Sequence, residues 1–140
     1  MPVIATDLPR LSGLVGQYGY SQSPELHNDV LTVNEASAQS YTLGTVLGKV
    51  TATGKYIISK QAASDGSQNP VAVYIGNSFG DIVTLAVPAT TDTTVLAVTR
   101  GAITLKKFGL NLDASFGTAP QIAAAYASLK SVGILVEQSV

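Results

Sequence analysis

Cysteine and tryptophan are absent from this 140-residue chain, and histidine and methionine occur once each. Without cysteine there is no disulfide, no thiolate metal site and no cysteine nucleophile. One histidine, His27, with dispersed carboxylates cannot assemble the usual zinc clusters. A Ser-His-Asp triad would have to be built around that one ring, in a stretch broken by proline and glycine, and a solvent-facing or interface histidine is the better reading. Charge is scarce too. Asp, Glu, Lys and Arg make up 12% of the residues, against roughly 25% in an average soluble domain. The net charge is −1, and of the eight cations only Lys106 and Lys107 are adjacent. A nucleic-acid binder would show a basic patch or stripe, so no nucleic-acid partner is expected. No apolar run approaches the ~18–20 residues of a membrane-spanning helix. The first residues lack the basic and apolar regions of a signal peptide. No membrane partner is expected; the lack of cysteine suits assembly in the cytoplasm but also many secreted proteins.

What remains is apolar and polar-uncharged. Apolar residues are 46% of the chain, too many for a disordered tail. A surface poor in charge implies burial against partners, although Ser, Thr, Asn and Gln are abundant enough to solvate it instead. The glycines carry no nucleotide motif. Gly13–Gly16 and Gly44–Lys49 are superficially like phosphate loops, but neither has the P-loop spacing, and no helix follows to make a dinucleotide fingerprint. Asp65, Asp81, Asp92 and Asp113 each sit beside turn residues, and turn chemistry accounts for them. No catalytic residue, metal ligand or cofactor-binding residue is assigned.

Residues 1 to about 30 differ from the rest. Pro2, Pro9, Gly13, Gly16, Gly19 and Pro24 interrupt regular structure. Between them lie Val3, Ile4, Leu8, Leu11, Leu14, Val15, Tyr18 and Tyr20. Such a segment is adhesive yet unable to form a long helix or strand. Fully extended it would reach roughly 100 Å, enough to lie along another molecule. The other reading is an arm wrapped on its own domain.

From residue 30 onward the chain predicts short strands. These are Asp29–Val33; the β-forming stretch Tyr41–Thr51, with Val46, Gly48, Val50 and Ala52 on one face; Tyr56–Ser59; Val71–Ile75; Ile82–Val87; Thr94–Arg100; Ala102–Lys106; and Ile134–Val136. Thr53-Gly54-Lys55 predicts a tight turn that makes a hairpin, and 63–70 and 76–81 predict loops. One helix is expected, capped by Thr118, with Pro120 in its first turn and Gly133 as its stop. Ile122, Ala125, Tyr126 and Leu129 make its apolar face. The fold class is therefore mainly β, α+β with little helix: a β-rich domain over 31–140 with one C-terminal helix, preceded by an extended arm over 1–30.

An ordered set of segments resembles the head decoration protein D family of tailed, lambda-type phages. It begins Leu43-Gly44-Thr45-Val46-Leu47-Gly48-Lys49-Val50-Thr51-Ala52-Thr53-Gly54-Lys55-Tyr56 and continues Ala62-Ala63-Ser64-Asp65-Gly66-Ser67-Gln68-Asn69-Pro70-Val71-Ala72-Val73-Tyr74. Leu129-Lys130-Ser131-Val132-Gly133-Ile134 is similar to the family's closing helix and Gly-Ile. The likeness covers roughly residues 30–140 and departs most at 1–30 and 76–100. It implies a compact β-rich domain that assembles as a homotrimer at three-fold or quasi-three-fold positions of the expanded capsid. It also implies a virion location on the outer capsid surface, an N-terminal arm on the major capsid protein, and no enzymatic activity or cofactor. On that basis the eight apolar arm residues are the candidate capsid contacts. A β-rich receptor-binding or adhesin-type module of a phage tail is the alternative expectation.

Overall fold

In the computed structural model, residues 28–79, 81–101 and 103–137 are described. Their strands run β1 Asn28–Val33, β2 Gln39–Tyr41, β3 Val46–Lys49, β4 Tyr56–Ile58, β5 Pro70–Asn77, β6 Leu85–Val87, β7 Thr93–Val98 and β8 Ile103–Lys106. A 3-10 turn at Lys107–Gly109, the helix α1 Ala119–Ser131 and strand β9 Ile134–Glu137 complete the order. The mainly β class with one C-terminal helix is what the sequence predicted.

Five strands close into a barrel in the order β1-β4-β3-β5-β7. The long antiparallel pair of β1 with β7 matches Asn28 to Val98 and Val33 to Thr93. Strands β3 and β4 form the predicted hairpin. Two small ribbons lie outside the barrel: β2 pairs antiparallel with β6, and β8 pairs parallel with β9 across the connection through α1.

The apolar runs of β5 and β7 explain how these layers join. In a strand, alternate side chains point to opposite faces. Ala72 and Tyr74 of β5 and Val95 and Ala97 of β7 pack inside the barrel with Leu31, Val33 and Leu47. Val73, Ile75 and Val98 turn the other way, onto Ile103, Leu105, Leu129 and Ile134. Both strands are thus covered on both faces, so they read as continuous apolar runs rather than as an alternation.

Helix α1 starts as its sequence dictates. The Thr118 hydroxyl accepts from the Gln121 backbone N–H, the Gln121 side chain accepts from the Thr118 N–H, and Pro120 fills the first turn. This reciprocal capping satisfies amides that would otherwise lack partners. Ala125 and Leu129 are buried, with Ile122 and Tyr126 half-buried beside them.

Three expectations needed revision. The stretch 41–51 is not one strand: it breaks at 42–45, and its two parts join different sheets. Val50 and Ala52 lie beyond the end of β3, so the expected four-residue face stops at Gly48. Residues 82–84 are irregular, and only Leu85–Val87 pairs, with β2.

Candidate interaction surface

Among the described residues no group of three or more His, Cys, Asp or Glu could hold a metal ion, and no helix is long and apolar enough to cross a membrane. The one buried carboxyl among them is Glu35. It accepts hydrogen bonds from the Tyr41 hydroxyl and from the Ile58 N–H at 2.8 Å. Burial, reinforced by Glu35, pushes the Tyr41 phenol far above its ordinary range, so it remains a donor. The Tyr41 ring meets Tyr74 edge-on at 5.6 Å. This cluster is closed to solvent and ties β2 to β4; it is structural. Burial likewise raises Tyr74, to about 12.

Val3, Ile4, Leu8, Leu11, Leu14, Val15, Tyr18 and Tyr20, together with His27, lie outside the described residues. What can be seen is the root from which that segment departs. It is strand β1, held along its length by β7. The Asp29 carboxylate accepts from the Thr99 hydroxyl and from Arg100, each at 2.7 Å, and these contacts hold it below the usual carboxylate range. At the other end of β1, Asp92 receives Asn34 at 2.6 Å and Lys55 at 2.9 Å. This stitches the short β1–β4 seam, where Val33 and Tyr56 are the registered pair. Asn34 first, then Lys55, lowers the Asp92 pKa, and Ser67 does the same for Asp65.

These shifts fix the sign of an acid response. A carboxylate depressed in the folded state adds stability above its unfolded pKa, ~4, and that stability is lost as pH falls through the folded value. Melting temperature should hold from pH 7 to about pH 5 and decline below about pH 4. Thermal melts of an Asp29→Asn, Asp92→Asn double variant should show a shallower acid decline. Parallel curves for variant and parent would remove these carboxylates from the account.

Two surface features stand out beyond the root. The loop after β5 carries Phe79 at 88% exposure. The loop is built to hold its shape: Asn77 N–H donates to the Asp81 carbonyl, and Asn77 Oδ1 accepts from the Phe79 and Asp81 amides, all at 3.0 Å. Tyr74 then pins the following segment by donating to the Val83 carbonyl at 2.8 Å. At the start of β5 lies an open cleft of about 300 Å³, floored by Pro70, Phe116 and Ala125 and edged by Gln61, Gln68 and Gln121. Sequence reasoning read 76–81 as a loop and assigned Phe79 no role. A large aromatic between Ser78 and Gly80, in a turn with nothing apolar beside it to pack on, was the available signal.

A family model described as bacteriophage lambda head decoration protein D matches residues 13–134. No curated protein matches the chain.

Proposed function

The chain belongs to the bacteriophage lambda head decoration protein D family, and from that premise we propose that it binds the outer surface of the mature capsid as a homotrimer and cements the lattice, without catalysing a reaction. The family is one of structural capsid decoration proteins, so its role is in the virion, on the head. The finer reading assigns the three-fold and quasi-three-fold positions to the trimer, and the major capsid protein as its partner.

The single observation that carries the reading is the extent of the family match, which takes in every described strand up to the first residue of β9 as well as α1. The rest follows from physical argument. Residues 31–140 form the trimerising body, and residues 1–30 form the gripping arm. Val3, Ile4, Leu8, Leu11, Leu14, Val15, Tyr18 and Tyr20 supply its apolar contacts. An extended segment satisfies its backbone by pairing with an exposed strand edge. Three arms on one trimer bind with an avidity no single arm has. A ligand that binds the assembled lattice and not its dissociated subunits stabilises the lattice by mass action. The ties of Asp29 to Thr99 and Arg100 support this division, because they hold the start of β1, where residues 1–27 join the body.

Deleting residues 2–20 should leave a folded protein with an unchanged far-UV spectrum. Its occupancy on expanded, undecorated capsids should fall at least tenfold, read by co-sedimentation and gel densitometry. Undiminished occupancy would remove the arm from the mechanism.

A further inference from the structure

We infer that Phe79 of one copy seats in the Pro70–Phe116 cleft of the next copy, so that the trimer closes as a head-to-tail ring; this rests on the trimeric reading above.

The two features suit each other in shape and chemistry. A cavity of about 150 Å³ lined by apolar side chains is enough to bind benzene, and this cleft offers about 300 Å³. Its floor is apolar and set in place. Phe116 and Pro70 are buried, and the Ser128 hydroxyl donates to the Pro70 carbonyl at 2.8 Å. Its rim is amide-rich and equally fixed: Gln121 Oε1 accepts from the Gly117 and Thr118 amides, and Gln68 Oε1 from Gly66. On the knob side, Asn77 Oδ1 accepts from the Phe79 and Asp81 amides, and Tyr74 donates to the Val83 carbonyl. Contacts between preformed partners lose little to ordering on association.

Position decides that two copies are needed. The cleft lies at Pro70 and the knob just past Asn77, at opposite ends of β5. Seven strand steps at ~3.3 Å separate those ends by about 23 Å, so Phe79 cannot fill the cleft of its own chain. A knob at one end and a hole at the other make a heterologous contact, which generates a ring when its rotation closes. Charge agrees with this pairing. Asp81 stands two residues from the knob, and Lys60 adjoins Gln61 on the cleft rim; both are exposed and opposite in sign. Area sets the scale of the claim. A Phe side chain buries roughly 150–250 Å², whereas a stable interface buries about 1,200–2,000 Å² in total. Phe79 is thus the anchor of a wider contact.

The absence of cysteine makes the test clean. Ser78→Cys and Ala124→Cys, placed in one full-length chain that keeps Phe79, are treated with a short bis-maleimide both in solution and on decorated capsids. The inference expects a covalent ladder that ends at three copies, with neither single variant giving one. Phe79→Ala should weaken trimer association roughly tenfold to a hundredfold, as central aromatic anchors do, measured by light scattering across a dilution series. Asp81→Lys should weaken it less, and adding Lys60→Asp should restore it. A wild-type trimer that is unmoved by Phe79→Ala and gives no ladder overturns the inference and leaves the trimeric reading standing. Cross-links from position 78 to the major capsid protein also overturn it, and make Phe79 a shell contact. A wild-type chain that is monomeric both in solution and on the capsid overturns both readings.

Discussion

Gly44→Ala should cost the fold about 3–5 kcal/mol, the sum of a disfavoured backbone conformation and an overpacked contact. Gly44 sits at φ +92°, where L side chains are strained. A Cβ there would stand 1.9 Å from the Gly109 carbonyl oxygen and 3.0 Å from its carbon. Those are backbone atoms with no rotamer to move aside. The position also joins the two halves of the molecule. Its N–H donates to the Tyr74 carbonyl at 2.9 Å, and its carbonyl accepts from Asn111 N–H at 2.8 Å. The Asn111 side chain then donates to the Thr42 hydroxyl and the Leu43 carbonyl. Pushing residues 109–111 away would therefore break the link between the barrel and the helix-side core. Gly54 supplies the control. It has φ +71°, but a Cβ there meets nothing nearer than Lys49 Cε at 3.9 Å. Gly54→Ala should cost only about 1 kcal/mol. Urea denaturation of the two variants separates conformational strain from collision; equal midpoints would show that the Gly109 contact relaxes freely. With a total stability of about 5–15 kcal/mol typical of a domain, the Gly44 variant stands near the threshold of folding.

The same junction marks where sequence reasoning stops. Local signals were legible. Thr118 and Pro120 announce the start of α1 within a few residues of chain, and Gly54 announces the β3–β4 turn. The apolar run Val71–Ile75 reads as a buried strand, whereas the burial of β7 on both faces emerges only from the packing. The break at 42–45 was only half legible. Gly44, at φ +92° in a turn closed by the Thr45 N–H to the Thr42 carbonyl at 3.0 Å, was a local signal in a stretch otherwise rich in β-formers. The Asn111 bonds to Thr42 and Leu43, from 69 and 68 residues away, had none. Barrel closure by β1 and β7 and the parallel pairing of β8 with β9 are equally non-local. Of the interaction surface, the sequence proposed the apolar residues of 1–30, and Val3 to Tyr20 lie outside the described residues. It did not disclose Phe79 and its cleft, whose relation exists only because β5 holds them at its two ends.

The low charge of the chain takes on a physical meaning in this setting. The two ion pairs among the described residues, Lys55–Asp92 and Arg100–Asp29, are both half-exposed and lie at the ends of β1. Exposed pairs contribute little stability. Their value is positional, since they fasten the two ends of β1. Elsewhere scattered single charges such as Lys60 and Asp81 stand among neutral polar groups and isolated apolar side chains such as Val30 and Leu135. Such a surface can be desolvated against neighbouring protein at small electrostatic cost.

Glu35→Ala is the second substitution with a large expected effect, and the reason lies in what it leaves behind. Glu35 is 5% exposed and Tyr41 fully buried. One carboxyl oxygen serves both the Tyr41 hydroxyl and the Ile58 amide. Removing it strands the buried Tyr41 hydroxyl and the half-buried Ile58 amide, at about 1–3 kcal/mol for a fully buried donor and less for a half-buried one, and opens a void that adds to the loss. A fall of about 3–5 kcal/mol is expected in urea denaturation. Glu35→Gln retains a carbonyl oxygen that can accept, while bringing an amide NH₂ that needs partners of its own; about 1–2 kcal/mol is expected. Tyr41→Phe removes one donor and should cost about 1 kcal/mol. The double variant Glu35→Ala, Tyr41→Phe decides the matter. In it the orphaned phenol is gone, so the loss should be smaller than the two single losses added, by about 1 kcal/mol. Strict additivity would mean that Tyr41 finds another partner once Glu35 is removed. A loss under 1 kcal/mol for Glu35→Ala would mean that β2 and β4 are held together by packing alone.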